Sequence, residues 1–193
     1  MSTNNYIIGV NGGKKEGHTS GYLKQCLDEA EKLGAKVKLI ELSDFTLLPI
    51  SKSAANPELD TPEKIKSDDM VLLLQEVEKA DGIVFATPVH WFSASSEMKI
   101  FIDRLTPLEN AGFLLEGKVA GFIVYGNEAG KMNALMELSA TTNNMGMISP
   151  PYSMIYLSNE ASDWAAKDIK LLAHNMFKLI NCIKKEKLRF GYE

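Results

Sequence analysis

Residues 6–27, YIIGVNGGKKEGHTSGYLKQCL, decide the fold. Tyr6 to Asn11 is a short apolar run, the pattern of a strand buried on both faces. Gly12 and Gly13 break the run. Leu23, Cys26, Leu27 and Ala30 then recur at helical spacing; Thr19 or Ser20 can cap the helix start, and Gly34 suits its end. Strand, glycine-rich turn and helix, in that order, open an alternating α/β sheet.

The alternation continues outward. Ala35 to Leu42 reads as a second strand and DMVLLLQEVEKADG (Asp69–Gly82) as a helix. GIVFAT, Gly82 to Thr87, is a third buried strand stopped by Pro88. ASSEMKIFIDRL (Ala94–Leu105) is a helix with Met98, Phe101, Ile102 and Leu105 on one face. Lys118 to Gly126 and Tyr152 to Leu157 are the fourth and fifth strands, separated by a helix ending at Gly146; an amphipathic helix from Ser162 to Lys187 follows. Continuous apolar strands between amphipathic helices predict a parallel sheet covered on both faces. Five such strands give the three-layer α/β, flavodoxin-like order 2-1-3-4-5. The chain reads as a single domain over residues 1–193, interrupted by a long loop or arm at Ser43–Asp69 rich in Pro, Ser, Asn and Asp.

Composition narrows the functions. The chain of 193 residues is 45% hydrophobic and 24% charged, as expected of a globular protein. A net charge of -4 supplies no basic excess for a nucleic-acid backbone. No apolar stretch reaches membrane-spanning length and no signal peptide is legible, so the expected location is the cytoplasm. Cys26 and Cys182 fall in predicted helices without CxxC spacing and read as buried free thiols; no metal site is expected.

The opening turn admits three chemistries. GGKKEGHT (Gly12–Thr19) nearly spells a nucleoside-triphosphate loop, but His18 stands where that motif needs lysine. GHTSG (Gly17–Gly21) nearly spells a nucleophile elbow, but Thr19 holds the middle place; Asp168 and His174, which follow in the right order, share one helix. The third reading needs only unpaired amides at a helix mouth, with Lys14, Lys15, Thr19 and Ser20 beside them, to seat a phosphate. A plain helix cap is its structural alternative. Two further turns share the same sheet edge. TPVHWF brings Pro88, Val89, His90, Trp91 and Phe92 to the crevice, where a flat aromatic cofactor could stack. YGNEAG adds Gly126, Asn127 and Glu128.

GVNGGKKEGHTSGYL followed by ADGIVFATPVHWFSASSEMKIFIDRL resembles the NADPH-dependent FMN reductase group of flavodoxin-like proteins, its iron–sulfur flavoprotein branch above all. The resemblance covers essentially the whole chain and is most specific over Ala80–Leu105. It implies an FMN-dependent NAD(P)H oxidoreductase that passes electrons to a small-molecule acceptor such as a quinone or nitroaromatic. It also implies a homodimer, with Ser43–Asp69 and Pro88–Phe92 near the interface. Carried over by position, the FMN phosphate falls to Lys15, His18, Thr19 and Ser20 with nearby backbone including Gly12, Gly13 and Lys14. The ring falls to Pro88–Phe92 with Gly126, Asn127 and Glu128. His90 and Glu128 stand where a proton could reach an acceptor. The chain departs from the family in its first loop, where Gly13 replaces a serine, Lys15 stands near the usual arginine and His18 replaces an asparagine, and from the branch in its cysteines: none lies between Leu42 and Asp69, so no iron–sulfur cluster is expected there. An FMN electron carrier and a cofactor-free interaction module are the alternative readings.

Overall fold

The computed structural model describes residues 5–50, 62, 68–127, 129–159 and 163–191. Among these residues there are six strands: β1 (Tyr6–Asn11), β2 (Lys36–Glu41), β3 (Gly82–His90), β4 (Ser93–Ala94), β5 (Val119–Tyr125) and β6 (Met154–Leu157). Five pair in parallel in the order β2-β1-β3-β5-β6, while β4 turns back antiparallel on the end of β3. With that short return set aside, the order is the expected 2-1-3-4-5. The helices are α1 (His18–Lys32), α2 (Met70–Lys79), α3 (Ser96–Asp103), α4 (Thr106–Asn110), α5 (Lys131–Asn144) and α6 (Asp163–Glu186).

Strand alternation divides the core in two. Ile8, Val10, Phe85 and Phe122 point to one face and pack with α2, α3 and α5. Ile7, Val84, Val119 and Ile123 point to the other and pack with α1 and α6. Because helices cover both faces, neither set of strand side chains meets water, and the strands read as continuous apolar runs.

Several boundaries move for physical reasons. β3 runs on through Pro88 to His90. Pro88 pairs Tyr125 on one side, but β1 has already ended opposite Ala86, so the missing amide leaves no ladder partner wanting on that side. α1 begins at His18; neither Thr19 nor Ser20 caps it, since Gly17 holds the cap position in extended backbone with no side-chain hydrogen bond. Ala94 belongs to β4 rather than to a helix, and Ser95 caps α3 by accepting the Met98 amide at 3.2 Å. Cys26 is buried, which pushes its thiol up to about 12, but Cys182 is exposed.

Most of the Ser43–Asp69 segment, residues 51–61 and 63–67, lies outside the described residues. Its two stems are joined directly, the Asp69 amide donating to the Thr46 carbonyl at 3.1 Å and the Thr46 amide to Asp69 Oδ2 at 2.8 Å, and are held further by one buried side chain. Arg104, buried after α3, donates through Nη1 to the Leu48 carbonyl at 2.6 Å and through both terminal nitrogens to Asp68 at 2.6 and 3.1 Å. Asp68 also accepts the Leu48 amide at 2.8 Å and the Met70 amide at 3.1 Å.

Candidate functional site

The turns after β1, β3 and β5 meet at the carboxyl edge of the sheet and border two adjoining cavities. The lower, of about 460 Å³, is lined by the β1–α1 turn and reaches Ser43 and Glu97. The upper, of about 670 Å³, lies between the β3–β4 hairpin and the β5–α5 turn. Pro88, His90 and Tyr125 line both. Both volumes fall in the range of small-molecule sites.

The β1–α1 turn is fixed from beneath. The Gly12 amide donates to the Ala86 carbonyl at 2.8 Å, and Ser95 Oγ donates to the Gly12 carbonyl at 2.6 Å. A Cβ on Gly12 would lie 2.7 Å from Met98 Cβ, so only glycine lets the turn pass this close to α3. The Gly13 amide donates to Asn11 Oδ1 at 3.0 Å, which removes it from any ligand. Asn11 Nδ2 and Ser20 Oγ both donate to the buried Glu41 carboxylate. The Ser20 hydroxyl is therefore turned inward, away from the cavity that the sequence reading assigned to it.

Beyond Gly13 the backbone is open. Gly17 donates to the Lys14 carbonyl at 3.0 Å and closes a tight turn. The amides of His18, Thr19 and Ser20 have no acceptor among the described residues, and the first turn of α1 carries no acid. Three unpaired donors at a helix start form an anion seat. Lys14, Thr19 and His18 line the cavity at that point. Lys15 does not join them: its Nζ is paired with Asp44 at 2.8 Å, which raises its pKa through that hydrogen bond and charge, and it borders a separate depression with Lys38 and Glu76. Glu16, with φ 58, faces another depression beside Tyr22.

The upper cavity is built on strain. Val89 pairs Ala94 and His90 pairs Ser93, leaving Trp91 and Phe92 as a two-residue hairpin turn. Their φ values are 48° and 68°, the left-handed pair of a type I′ turn, where Asn-Gly is the usual choice. Trp91 is 98% exposed at the tip. Gly130, itself at φ 102°, makes room for the hairpin: a Cβ there would stand 2.6 Å from Phe92 Cα. Ser93 Oγ donates to Glu137 and ties the hairpin to α5. Gly126 donates to the Leu157 carbonyl at 3.0 Å, and its own carbonyl accepts Lys131 Nζ at 2.8 Å. Asn127 Oδ1 accepts the Asn159 amide at 3.0 Å, so that side chain stiffens the turn. Glu128 lies outside the described residues.

Tyr125 is the residue that sequence reasoning missed. Its ring stacks on His18 with centroids 4.8 Å apart, and its hydroxyl is bonded to Asn159. It joins the β1–α1 turn to the β5–α5 turn. The only signal in the sequence is a tyrosine as the last strand residue before a glycine, where the hydroxyl must find a partner.

Residues 6–162 match the family profile described as NADPH-dependent FMN reductase. An iron–sulfur flavoprotein of Methanocaldococcus jannaschii is 31% identical over 122 residues, 62% of this chain and 61% of that protein. The match thus spans about three-fifths of the relative's length. The chain holds only Cys26 and Cys182, on α1 and α6, too few for a four-thiolate cluster. Among solved structures, RosB with a bound 8-demethyl-8-formylriboflavin-5′-phosphate intermediate superposes with a TM-score of 0.80 at 19% identity, covering 95% of this chain and 82% of that one. An apo NADH:FMN oxidoreductase gives 0.67 at 17% identity, covering 91% and 89%. At these identities the structures establish a shared fold.

Proposed function

The chain belongs to the NADPH-dependent FMN reductase family, and from that membership and the geometry of the edge we propose that it is an FMN-dependent NAD(P)H oxidoreductase. The single observation that carries the reading is the run of unpaired amides at the start of α1, where His18 and Thr19 line a cavity that shares Pro88, His90 and Tyr125 with an adjoining aromatic-walled one. A phosphate monoester fits the first and a flat ring the second. Bound FMN would accept hydride from the nicotinamide and hand the electrons to a quinone, nitroaromatic or similar acceptor.

The protein's part is seating and orientation. The three amides, Lys14 and His18 hold the phosphate; Gly12 keeps the turn against α3. Pro88, Val89, His90 and Phe92 wall the ring on one side, with Tyr125, Gly126 and Asn127 on the other. His90, which lines both cavities, is placed to relay a proton to an acceptor. The protein acts as a homodimer. Among the described residues no helix is long and apolar enough to cross a membrane.

Titration with FMN and with riboflavin, followed by anaerobic NADPH, tests this. FMN binds at least tenfold more tightly than riboflavin, NADPH bleaches the bound flavin, and a benzoquinone sustains turnover. A protein that leaves the FMN spectrum unaltered refutes the reading. One that binds FMN without NADPH oxidation is an electron carrier instead.

A further inference from the structure

A buried carboxylate stands behind the β1–α1 turn. Asn11 and Glu41 end β1 and β2 and lie in register with each other. The two-residue period of β1 puts Asn11 on the same face as Ile7, the face packed with α1. In-register residues of parallel strands share a face, so Glu41 is on it too. Both side chains are buried, and Glu41 lines neither cavity of the site.

Glu41 makes two ties. Its Oε2 accepts Asn11 Nδ2 at 2.5 Å, and its Oε1 accepts the Ser20 hydroxyl. Asn11 passes the first constraint to the turn. Its Oδ1 accepts the Gly13 amide at 3.0 Å, and Nδ2 donates its second hydrogen to the Gly13 carbonyl at 3.2 Å. One side chain thus brackets both backbone groups of Gly13, with each of its own amide hydrogens engaged.

Ser20 carries the second constraint to the first turn of α1. A helix start is ordinarily satisfied by a side-chain cap, which occupies an open amide, or by an acid in its first turn. α1 has neither, since Gly17 holds the cap position. Glu41 brings the negative charge from β2 instead, through a hydroxyl. That contact uses no amide, and the amides of His18 and Thr19 stay open beside the lower cavity.

We propose that Glu41 is a positioning residue of the phosphate seat. It fixes Gly13 through Asn11 and the first turn of α1 through Ser20, so that the open amides are held in place before a phosphate monoester arrives. The proposal rests on the FMN reading. Glu41 touches neither the phosphate nor the ring. Hydrogen-bonding reach, rather than charge, is what the turn requires of it. Glutamine keeps that reach: its carbonyl accepts Asn11 Nδ2, and its amide donates to Ser20 Oγ, which can accept as well as donate. Alanine keeps neither bond and strands a buried donor on Asn11.

Titrations of wild type, Glu41→Ala and Glu41→Gln with FMN and with riboflavin test the proposal, because the two ligands differ only in the phosphate. Glu41→Ala weakens FMN about tenfold or more and leaves riboflavin affinity as it was. Glu41→Gln binds FMN within about threefold of the wild type. A carboxylate that served only the fold would weaken both ligands together. Amide hydrogen exchange in the ligand-free protein gives a readout that needs no flavin: measured against Val10 in β1, the Gly13 amide exchanges about tenfold faster in Glu41→Ala. Should that variant fail to fold, Ser20→Ala carries the test, being a change that a helix accepts. It cuts one tie and moves both readouts the same way by less, whereas a hydroxyl that only touched phosphate would leave the Gly13 exchange unmoved. Parallel losses of FMN and riboflavin, a glutamine variant as weak as the alanine one, or an unmoved Gly13 exchange overturns the proposal. A wild type that leaves the FMN spectrum unaltered refutes the flavin reading, and the Gly13 exchange still decides whether Glu41 holds the turn.

Discussion

Trp91 and Phe92 each hold a backbone conformation that costs a non-glycine residue about 1–3 kcal/mol. Trp91 recovers none of that by burial, being 98% exposed. The hairpin keeps its shape because the β3–β4 pairing, the Ser93–Glu137 bond and the vacant side of Gly130 leave it no alternative. On the proposed FMN reading, strain held at the cavity rim serves the ligand. Replacing them with the pair the turn prefers, Trp91→Asn with Phe92→Gly, is therefore expected to stabilise the protein by about 1–2 kcal/mol in urea unfolding and to weaken FMN binding at least tenfold. A variant that is no more stable, or that binds FMN as before, removes the functional account of the strain. At this scale the sequence was a partial guide. It marked Trp91 and Phe92 by their position, but the turn's handedness depends on a β4 too short to leave a periodic signal. It assigned Lys15 and Ser20 to the phosphate by place in the motif; Asp44 and Glu41, distant in sequence, claim both side chains.

Elements were more legible than their ends. Apolar periodicity marked each long helix and each parallel strand, since both depend on a face repeated over several residues. Ends depend on single contacts. Pro88 looked like a stop, and is one only where a neighbouring strand needs its amide. Nothing in the sequence set Arg104 apart, yet it is buried and binds both stems of the Ser43–Asp69 segment. The pair it makes with Asp68 is almost fully desolvated on both sides, where loss of one partner leaves an uncompensated charge. Arg104→Ala is expected to lower the unfolding free energy by about 3–5 kcal/mol and to make the stems, residues 45–50 and 68–69, the first described part of the chain cut in limited proteolysis. A single variant as stable as the wild type would show that the stems are held by something else.

The order of the sheet was legible because it follows from a count of alternating elements and a fixed crossover hand. The same order brings distant carboxylates into partnerships that set the acid stability of the molecule. Glu76 on α2 accepts the Tyr6 hydroxyl of β1 at 2.6 Å and pairs Lys38 of β2 at 3.1 Å. The Tyr6 hydrogen bond, against the opposing effect of burial and aided by Lys38 and Lys79, brings the Glu76 carboxyl down to about 2, while burial and the same bond push the Tyr6 hydroxyl up. Burial alone would raise the Asp68 carboxyl, but Arg104 and the Leu48 and Met70 amides outweigh it and hold it below the usual range. A carboxyl depressed in the folded state binds its proton more readily when unfolded, so its contribution is complete above the unfolded value, about 4, and disappears as pH falls through the folded one. Stability is thus expected to be level from pH 7 to about 5 and to fall steeply between about 5 and 2. Glu76→Gln keeps the tyrosine partner but cannot be protonated: it costs about 2 kcal/mol at pH 7 and converges on the wild type near pH 2. Urea unfolding at fixed pH values checks both limbs. Parallel curves for the two proteins down to pH 2 would show that the Tyr6–Glu76 contact between α2 and β1 carries none of the acid sensitivity.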